Sequence, residues 1–540
     1  MRKIRRLPIG VTATVAALLM MGCSNTSTTP VSGKADPLKV TNGPFGVTEA
    51  SGSPVSGGSL TFGYGGGIAS FDPASQQYAG TSGGDEARAV YGTLTEYDTK
   101  AGKYAPSMAE SISANDDFTE WTVVLRDGVK FTDGTPYDAD AVLFNFDRMA
   151  KSGAGFSGLW TSVVKKAVAK DAKTVVITLK QKWADFPYLL SQAPGMIASP
   201  KAVKDEGESY QREPVGAGPF MLDKWTPGQN LVLKANPDYW DGKPYLDSLT
   251  FQTITTGDQA LKDALQARGI QGSLISTPAI VKDYIQPASG YSGYVRMTNT
   301  GSVLLINNGT PSRPDTPGKD INVREAIASA INPDVINQRA FGGNGFPGTG
   351  VFSAESQWAN DKPTFTYDVE AAKKHLAAAK GFDGTIELLY PAAQAEAALT
   401  IEAQLDAVGF KVDAKPVQSI TDLINAVLIK RDYDLAMYGW PVPDEPGELY
   451  TSYLERFGRK GNQLGYYNET VAKSLSDFAA ADDTAEKAAQ MATIQAQWTE
   501  TVPAVPYNTT AQMVVWDKNV HDIEVSSRLT LDFSKAWISK

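Results

Sequence analysis

Cysteine is almost missing from this chain: 540 residues contain one, Cys23, so no intramolecular disulfide can form. Histidine is nearly as scarce, with only His375 and His521, which removes almost every zinc site of the usual His/Cys kind. No metal and no cofactor is therefore expected. Positive charge is in the minority, 50 Lys plus Arg against 60 Asp plus Glu. Four of the basic residues (Arg2, Lys3, Arg5 and Arg6) lie in a segment expected to be removed, which leaves 46 basic against 60 acidic residues. An acidic protein repels phosphate backbones, and this argues against nucleic acid as a partner. A membrane-length apolar run is also lacking. The uncharged stretch Leu7 to Gly22 is 16 residues long, short of the roughly 20 that span a bilayer.

What is present begins with that same stretch. A basic opening, an uncharged middle and Leu18-Leu-Met-Met-Gly-Cys23 resemble a lipoprotein signal, in which the cysteine receives the lipid. Met20 and Met21 depart from the more usual Leu and Ala or Ser. Arg5-Arg6 hints at a twin-arginine signal, but the Leu-Pro that follows is poor support. Ser24 to Gly58 is rich in Ser, Thr, Gly and Pro and has no periodicity, so it reads as a disordered tether with a reach on the order of 30 Å.

An apolar content of 42% is that of a globular protein, and the length implies two or three domains. The most structured stretch runs from Trp121 to Arg148. Trp121, Val123 and Leu125 alternate with Thr122, Val124 and Arg126, the period of a strand with one buried face. Asp127-Gly128 predicts a hairpin with Val129 to Phe131 as its return strand. Asp138 predicts a helix cap, Val142, Phe146 and Met149 an apolar stripe, and Gly153 a stop.

Strands are predicted at Ser59–Tyr64, Lys173–Lys180, Leu231–Lys234, Leu249–Ile254, Phe410–Val412 and Tyr433–Trp440. Helices are predicted at Asp85–Tyr97, from an Asn322 cap, after Asn332-Pro333, at Asp368–Lys380 and at Ala395–Val408. A proline-rich break at Thr310–Gly318 reads as a domain boundary. Helices alternating with short strands make this an α/β chain.

Several patterns suggest chemistry and do not sustain it. Gly80-Thr-Ser82-Gly-Gly84 spells a nucleophile elbow, but no apolar strand precedes it and neither histidine is in a motif. Gly63 to Gly67 lacks dinucleotide and P-loop spacing. It suits instead a loop whose bare backbone approaches a ligand, which makes Tyr64, Gly66 and Gly67 candidate binding residues. Asp116-Asp117 and Asp138-Ala-Asp140 lack a calcium loop and read as caps and solvated faces. Sixty acids supply many chance pairs, so spacing alone leaves a glycosidase-type pair open. Trp440, at a strand end before Pro441-Val-Pro-Asp-Glu-Pro446, is expected to line a pocket.

The words of the sequence resemble the bacterial extracellular solute-binding proteins of the peptide/nickel family. The matching segments are Leu125-Arg-Asp-Gly-Val-Lys-Phe131, Asp133-Gly-Thr-Pro136, Gly216-Ala-Gly-Pro-Phe220, Asn236-Pro-Asp-Tyr-Trp240, Asn322-Val-Arg-Glu-Ala-Ile327, Tyr367-Asp-Val-Glu-Ala-Ala-Lys373 and Gly439-Trp440. They fall in family order between about Ala105 and Tyr507.

The resemblance implies an α/β, two-lobed periplasmic-binding-protein-like (type II) fold with a hinge and an extra subdomain inserted in the first lobe. The implied limits are 1–22 signal, 23–57 tether, 58–95 first lobe, 96–213 inserted subdomain, 214–312 first lobe again, 313–507 second lobe and 508–540 a return to the first. It implies a receptor of an ABC importer and no enzyme. Such a receptor is lipid-anchored at the cell membrane on the extracytoplasmic side, monomeric, and delivers a peptide from the inter-lobe cleft to a membrane permease. The alternatives are a non-peptide solute such as an oligosaccharide or siderophore-like compound, a nickel complex, a sensor without a permease, or a secreted hydrolase. The ligand-binding residues expected are Tyr64, Gly66, Gly67, Asn308, Trp440, Asp444 and Tyr507. In peptide-binding relatives a carboxylate three residues after the Trp holds the ligand amine. Here that position is Pro443, and Asp444 lies one further on.

Overall fold

The strand Ser59–Tyr64 buries Leu60, Phe62 and Tyr64 and carries glycine at position 63, where a Cβ would sit 2.5 Å from Ile270 Cδ1. It is a central strand of an eight-stranded sheet in this computed structural model, which describes residues 40–46, 52–78, 83–286, 289–359, 364–526 and 528–539. The sheet runs, edge to edge, Gly43–Phe45, Tyr291–Met297, Ala511–Asp517, Gly272–Ile275, Ser59–Tyr64, Ser248–Thr253, Asn230–Ala235 and Phe220–Thr226. A six-stranded sheet follows the order Phe346–Pro347, Ala504–Thr509, Asn299–Ile306, Leu435–Val442, Thr385–Pro391 and Lys411–Val417. A third, antiparallel sheet (Ala109–Ala114, Glu120–Leu125, Thr174–Leu179, Val164–Ala169) lies in the chain between two strands of the first. The fold is thus mixed α/β, with two large sheets, their helices and an inserted subdomain. Residues Val40–Lys540 form one compact unit.

Two chain crossings join the large sheets. Tyr291–Met297 passes through Thr298 into Asn299–Ile306, and Ala504–Thr509 passes through Thr510 into Ala511–Asp517. At the crossing Thr298 N donates to Thr510 O at 2.8 Å, and the two hydroxyls stand 2.6 Å apart. Immediately beyond, Thr300 takes φ +64°, a left-handed conformation that costs a β-branched residue energy. Its N–H donates to Val351 O at 3.0 Å, which helps to hold it there. Sheet membership therefore changes at Thr298, twelve residues before the proline-rich break at Thr310 begins.

Local predictions hold where capping chemistry is complete. Asp138 accepts from Ala141 N at 2.9 Å, a cap worth about 1 kcal/mol. The helix Ala139–Ser152 buries Val142, Phe146 and Met149 and ends at Gly153, φ +66°. Phe146→Ala there would cost about 3–5 kcal/mol.

The hairpin after Trp121 does not form. Gly128 makes its turn at φ +72°, but Glu120–Leu125 pairs with Ala109–Ala114 and Thr174–Leu179, so both its edges are taken. Residues 129–137 close on themselves instead, with Tyr137 N donating to Val129 O. The helix from Asp85 stops at Tyr91 because Gly92, φ +64°, caps it, and Thr95–Asp98 is a strand. The helix predicted from an Asn322 cap is capped by Asp320, whose carboxylate accepts from Asn322 N.

The tether expected over 23–57 is corrected in its described part. Val40 is buried and Gly43–Phe45 is an edge strand on Gly293–Val295, because Met297 N donates to Asn42 Oδ1 and the strand Tyr291–Met297 had an open edge to pair. Cys23, the signal and Ser82 of the elbow-like motif lie outside the described residues.

Candidate functional site

The seven expected binding residues fall into five places. Tyr64, Gly66 and Gly67 end the central strand of the eight-stranded sheet and line a small cavity there. Asn308 lies beyond the far end of Asn299–Ile306, whose other end pairs with Val442. Its amide donates to Ile306 O at 2.8 Å and Pro503 O at 3.2 Å, and its N–H to Leu464 O, so it braces a turn away from the crossings. Tyr507 is 1% exposed inside the core under the six-stranded sheet. Burial pushes its hydroxyl pKa up.

Trp440 does not present a wall. It is 3% exposed, stacked on Trp498 at 6.1 Å and packed on Phe457 at 5.0 Å and Tyr453 at 5.4 Å. The Arg456 guanidinium lies 4.5 Å from its ring centre. Trp440 anchors an aromatic core beneath the loop that follows it.

Asp444 stands at the crossing with its carboxylate fully engaged. Oδ1 accepts from Asn299 Nδ2 at 2.7 Å and Ser356 Oγ at 2.5 Å, and Oδ2 from Gln357 N at 3.3 Å. Trp358 Nε1 donates to its carbonyl at 2.9 Å. Burial pushes its pKa up, against these hydrogen bonds. A carboxylate used this way ties the first residue beyond the crossing to the loop 353–358.

The charged groups next to Asp444 escaped the sequence reading. The chain turns at Glu445 into the helix Pro446–Tyr453. This places Glu445 at the cap position and Glu448 in the first turn, where carboxylates are favoured by the helix dipole. Tyr104 hydroxyl donates to Glu445 Oε1 at 2.6 Å. Arg528 Nε lies 3.0 Å from Glu448 Oε2 and its Nη1 donates to Gln192 Oε1 at 2.5 Å.

Arg296, on the last strand before the first crossing, is half-buried beside them. Burial pulls its pKa down to about 10, against the opposing pull of Glu448. Burial works against the charge of Arg528 as well, but Glu448 and then Tyr188 and Glu445 more than offset it and its pKa is raised. Gly447 has no room for a side chain: a Cβ would lie 2.3 Å from Tyr188 Cβ and 2.6 Å from Tyr104 Oη.

These residues form one seam. Residues 104–192 of the inserted subdomain face residues 445–487 of the part carrying the six-stranded sheet. Farther along, Gln181 Nε2 donates to Tyr450 Oη at 2.9 Å, Ala184 N to Ala479 O at 2.8 Å, and Lys487 Nζ lies 2.8 Å from Asp185 Oδ2. The signal for Glu445 and Glu448 was their i, i+3 spacing at a Pro-initiated helix. No local pattern marks Arg296, Gln192 or Arg528, which meet only in the fold. Chemically, carboxylates on one wall and guanidinium groups on the other suit a solute with both an ammonium and a carboxylate. Among the described residues no cluster of His, Cys, Asp and Glu could hold a metal, and no helix is long and apolar enough to cross a membrane.

Two sheets joined by paired crossings, with a subdomain inserted in the chain between two strands of the first, are the frame in which this charged seam lies. Among known proteins, the profile of the bacterial extracellular solute-binding proteins, family 5, matches residues 103–462, and the chain belongs to that family. It is the solute-binding component of an ABC importer, acting outside the cytoplasm and without turnover.

Three relatives bracket it. The probable D,D-dipeptide-binding periplasmic protein DdpA of Escherichia coli is 27% identical over 424 residues, 74% of this chain and 78% of that protein. The glutathione-binding protein GsiB of Salmonella paratyphi A is 30% identical over 297 residues, 51% of this chain and 53% of that protein. The oligopeptide-binding protein AppA of Bacillus subtilis is 26% identical over 501 residues, 87% of each chain. Its structure with a nonapeptide superposes with TM-score 0.74, covering 90% of this chain and 100% of that one at 23% identity.

Proposed function

We propose that this receptor takes peptides in the seam beside the Thr298–Thr510 crossings and passes them to a membrane permease. One observation carries the reading: Glu445 and Glu448 face Arg296 and Arg528 across a half-buried seam. A free-ended peptide offers an ammonium for the first pair and a carboxylate for the second, and would exchange with the Glu448–Arg528 contact as it enters. Asp444, one residue late for the family's amine-binding position, serves here as a brace, and the amine passes to its neighbour Glu445.

In this reading the lobes meet at Thr298 and Thr510, rotation about those residues opens the cleft, and the inserted subdomain forms its outer wall. Cys23 carries the lipid that keeps the receptor at the membrane. The names of the relatives, which bind a dipeptide, glutathione and oligopeptides, support the peptide class.

The test is a thermal-shift screen of residues 40–540 against free-ended peptides of two to nine residues, with oligosaccharides and nickel chelates alongside. A ligand that binds only the native state raises the midpoint with its saturation. Shifts with peptides that shrink in Glu445→Gln support the assignment. A shift with a sugar and none with peptides keeps the receptor and sinks the peptide.

A further inference from the structure

The end of the central strand holds a second arrangement of polar groups, away from the charged seam. Gly66, Gly67 and Ile68 of the loop that follows it line one cavity with Glu86 of the helix Gly84–Tyr91, where Asp85 and Glu86 are 0% and 2% exposed. Asp85 is fully used, accepting from Tyr64 hydroxyl and from Leu531 N at 2.7 Å. Glu86 is half used. The backbone amides of Ile68 and of Glu86 itself donate to its carboxyl group, and Oε2 has no partner.

Glu86 lines a cavity of about 90 Å³ with Tyr64, Gly66, Thr253, Trp225 and Phe251. None of the residues lining it is basic. A buried carboxyl without a full set of partners is costly unless a proton, a water or a cation satisfies it. Burial pushes the Glu86 pKa up to about 8, with Asp85 adding to the rise, so near neutrality the empty site mostly holds a proton, which an entering cation displaces. The side walls favour one of the other answers. Tyr64, Trp225 and Phe251 line the cavity with the carboxyl, and aromatic faces with an acid are the chemistry that recognises ammonium groups. The volume admits more than a single water-sized group.

We propose that this cavity binds a small primary ammonium group, with Glu86 as its counter-charge. Trp225 and Phe251 pack on the alkyl stem, and Thr253 offers a hydroxyl to one ammonium hydrogen. The group comes either from a free amine or from a lysine side chain of the bound solute. The second source rests on the peptide reading above; the first does not.

Methylammonium chloride titrated calorimetrically into wild-type protein, at constant ionic strength and with sodium and tetramethylammonium chlorides as controls, tests the site directly. The expected result is saturable heat with methylammonium alone, weakened about tenfold or more in Glu86→Gln, which keeps the side chain's shape and its amide contacts. Absence of saturable heat in the wild type, or equal heat with tetramethylammonium, overturns the proposal and leaves a cavity filled by water only; unchanged binding in Glu86→Gln overturns it as well. If that variant does not fold, the wild-type titration still decides.

A peptide containing lysine is then compared with its norleucine counterpart. A preference of about tenfold, abolished by methylammonium, supports the site and assigns the amine to the solute. Equal affinity of the two peptides with methylammonium binding intact supports the site with a free amine as its ligand. Peptides without lysine test the receptor reading separately, so the two failures are distinguishable.

Discussion

Lys487→Met is the perturbation whose cost can be worked most fully from the structure. Lys487 and Asp185 are 5% and 8% exposed, with Nζ 2.9 and 2.8 Å from the two carboxylate oxygens. Around them lie Ala184 N on Ala479 O and Trp183 against Tyr450 at 5.3 Å. Removing one member of a buried ion pair leaves an uncompensated charge and costs about 3–5 kcal/mol. Methionine replaces most of the apolar stem, so lost packing adds little.

The cost depends on pH in a defined sense. Burial already holds the Asp185 pKa above its ordinary value, with Lys487 opposing the rise. Without Lys487 the folded-state pKa climbs further above the unfolded value. The folded state then binds a proton that the unfolded state releases, so the variant is relatively stable at low pH and loses stability as pH rises toward that raised pKa. Urea unfolding at pH 5 and pH 8 measures this. The expected loss is near the upper figure at pH 8 and clearly smaller at pH 5. A loss below about 1 kcal/mol at both values, the range of exposed pairs, would refute the claim that the seam is closed and dry at this point.

Three other outcomes follow from the same geometry. Asp444→Ala removes three hydrogen bonds from the crossing and should lower stability by about 2–4 kcal/mol; an unchanged melting temperature with lost peptide affinity would return Asp444 to the role of amine anchor. Gly447→Ala places a methyl group against Tyr188 and Tyr104, so it should hold the seam apart, seen as a larger radius of gyration by small-angle scattering; an unchanged radius would mean that the helix Pro446–Tyr453 has slack. Tyr104→Phe deletes the hydrogen bond to Glu445 and should cost about 1.5–3 kcal/mol in thermal or urea unfolding, whereas no change would place Glu445 in contact with water.

The legible parts of this protein were those whose chemistry is local. Asp138 and Gly153 announced both ends of one helix, Asn332-Pro333 the start of another, and Gly409 the end of a third. The strand Ser59–Tyr64 could be read from its alternation. The missing return strand after Gly128 was not legible, because the edges of Glu120–Leu125 are filled by segments from both sides in sequence.

The lobe crossing at Thr298 carried no signal either: a crossing inside one continuous extended stretch changes sheet without changing composition. Prolines at 311, 314 and 317 mark a surface loop and drew attention away from it. At the site, Trp440 was found as an aromatic at a strand end but proved to be core, since its neighbours Tyr453, Phe457 and Trp498 come from helices downstream. Asp444 was expected to bind ligand, and its use as a brace depends on Asn299 and Ser356, far away in sequence. Arg296 and Arg528 face Glu445 and Glu448 only after both crossings have been made.

The central claim is that a free-ended peptide bridges the two walls of the seam. Isothermal titration of one pentapeptide and of its N-acetylated, C-amidated form into residues 40–540 tests it most directly. The account predicts saturable binding of the free-ended peptide, weakened at least tenfold by capping the amine, and weakened likewise by Glu445→Gln. Equal affinity for the free and capped peptides, or binding of a nickel chelate or sugar with none of any peptide, would contradict it.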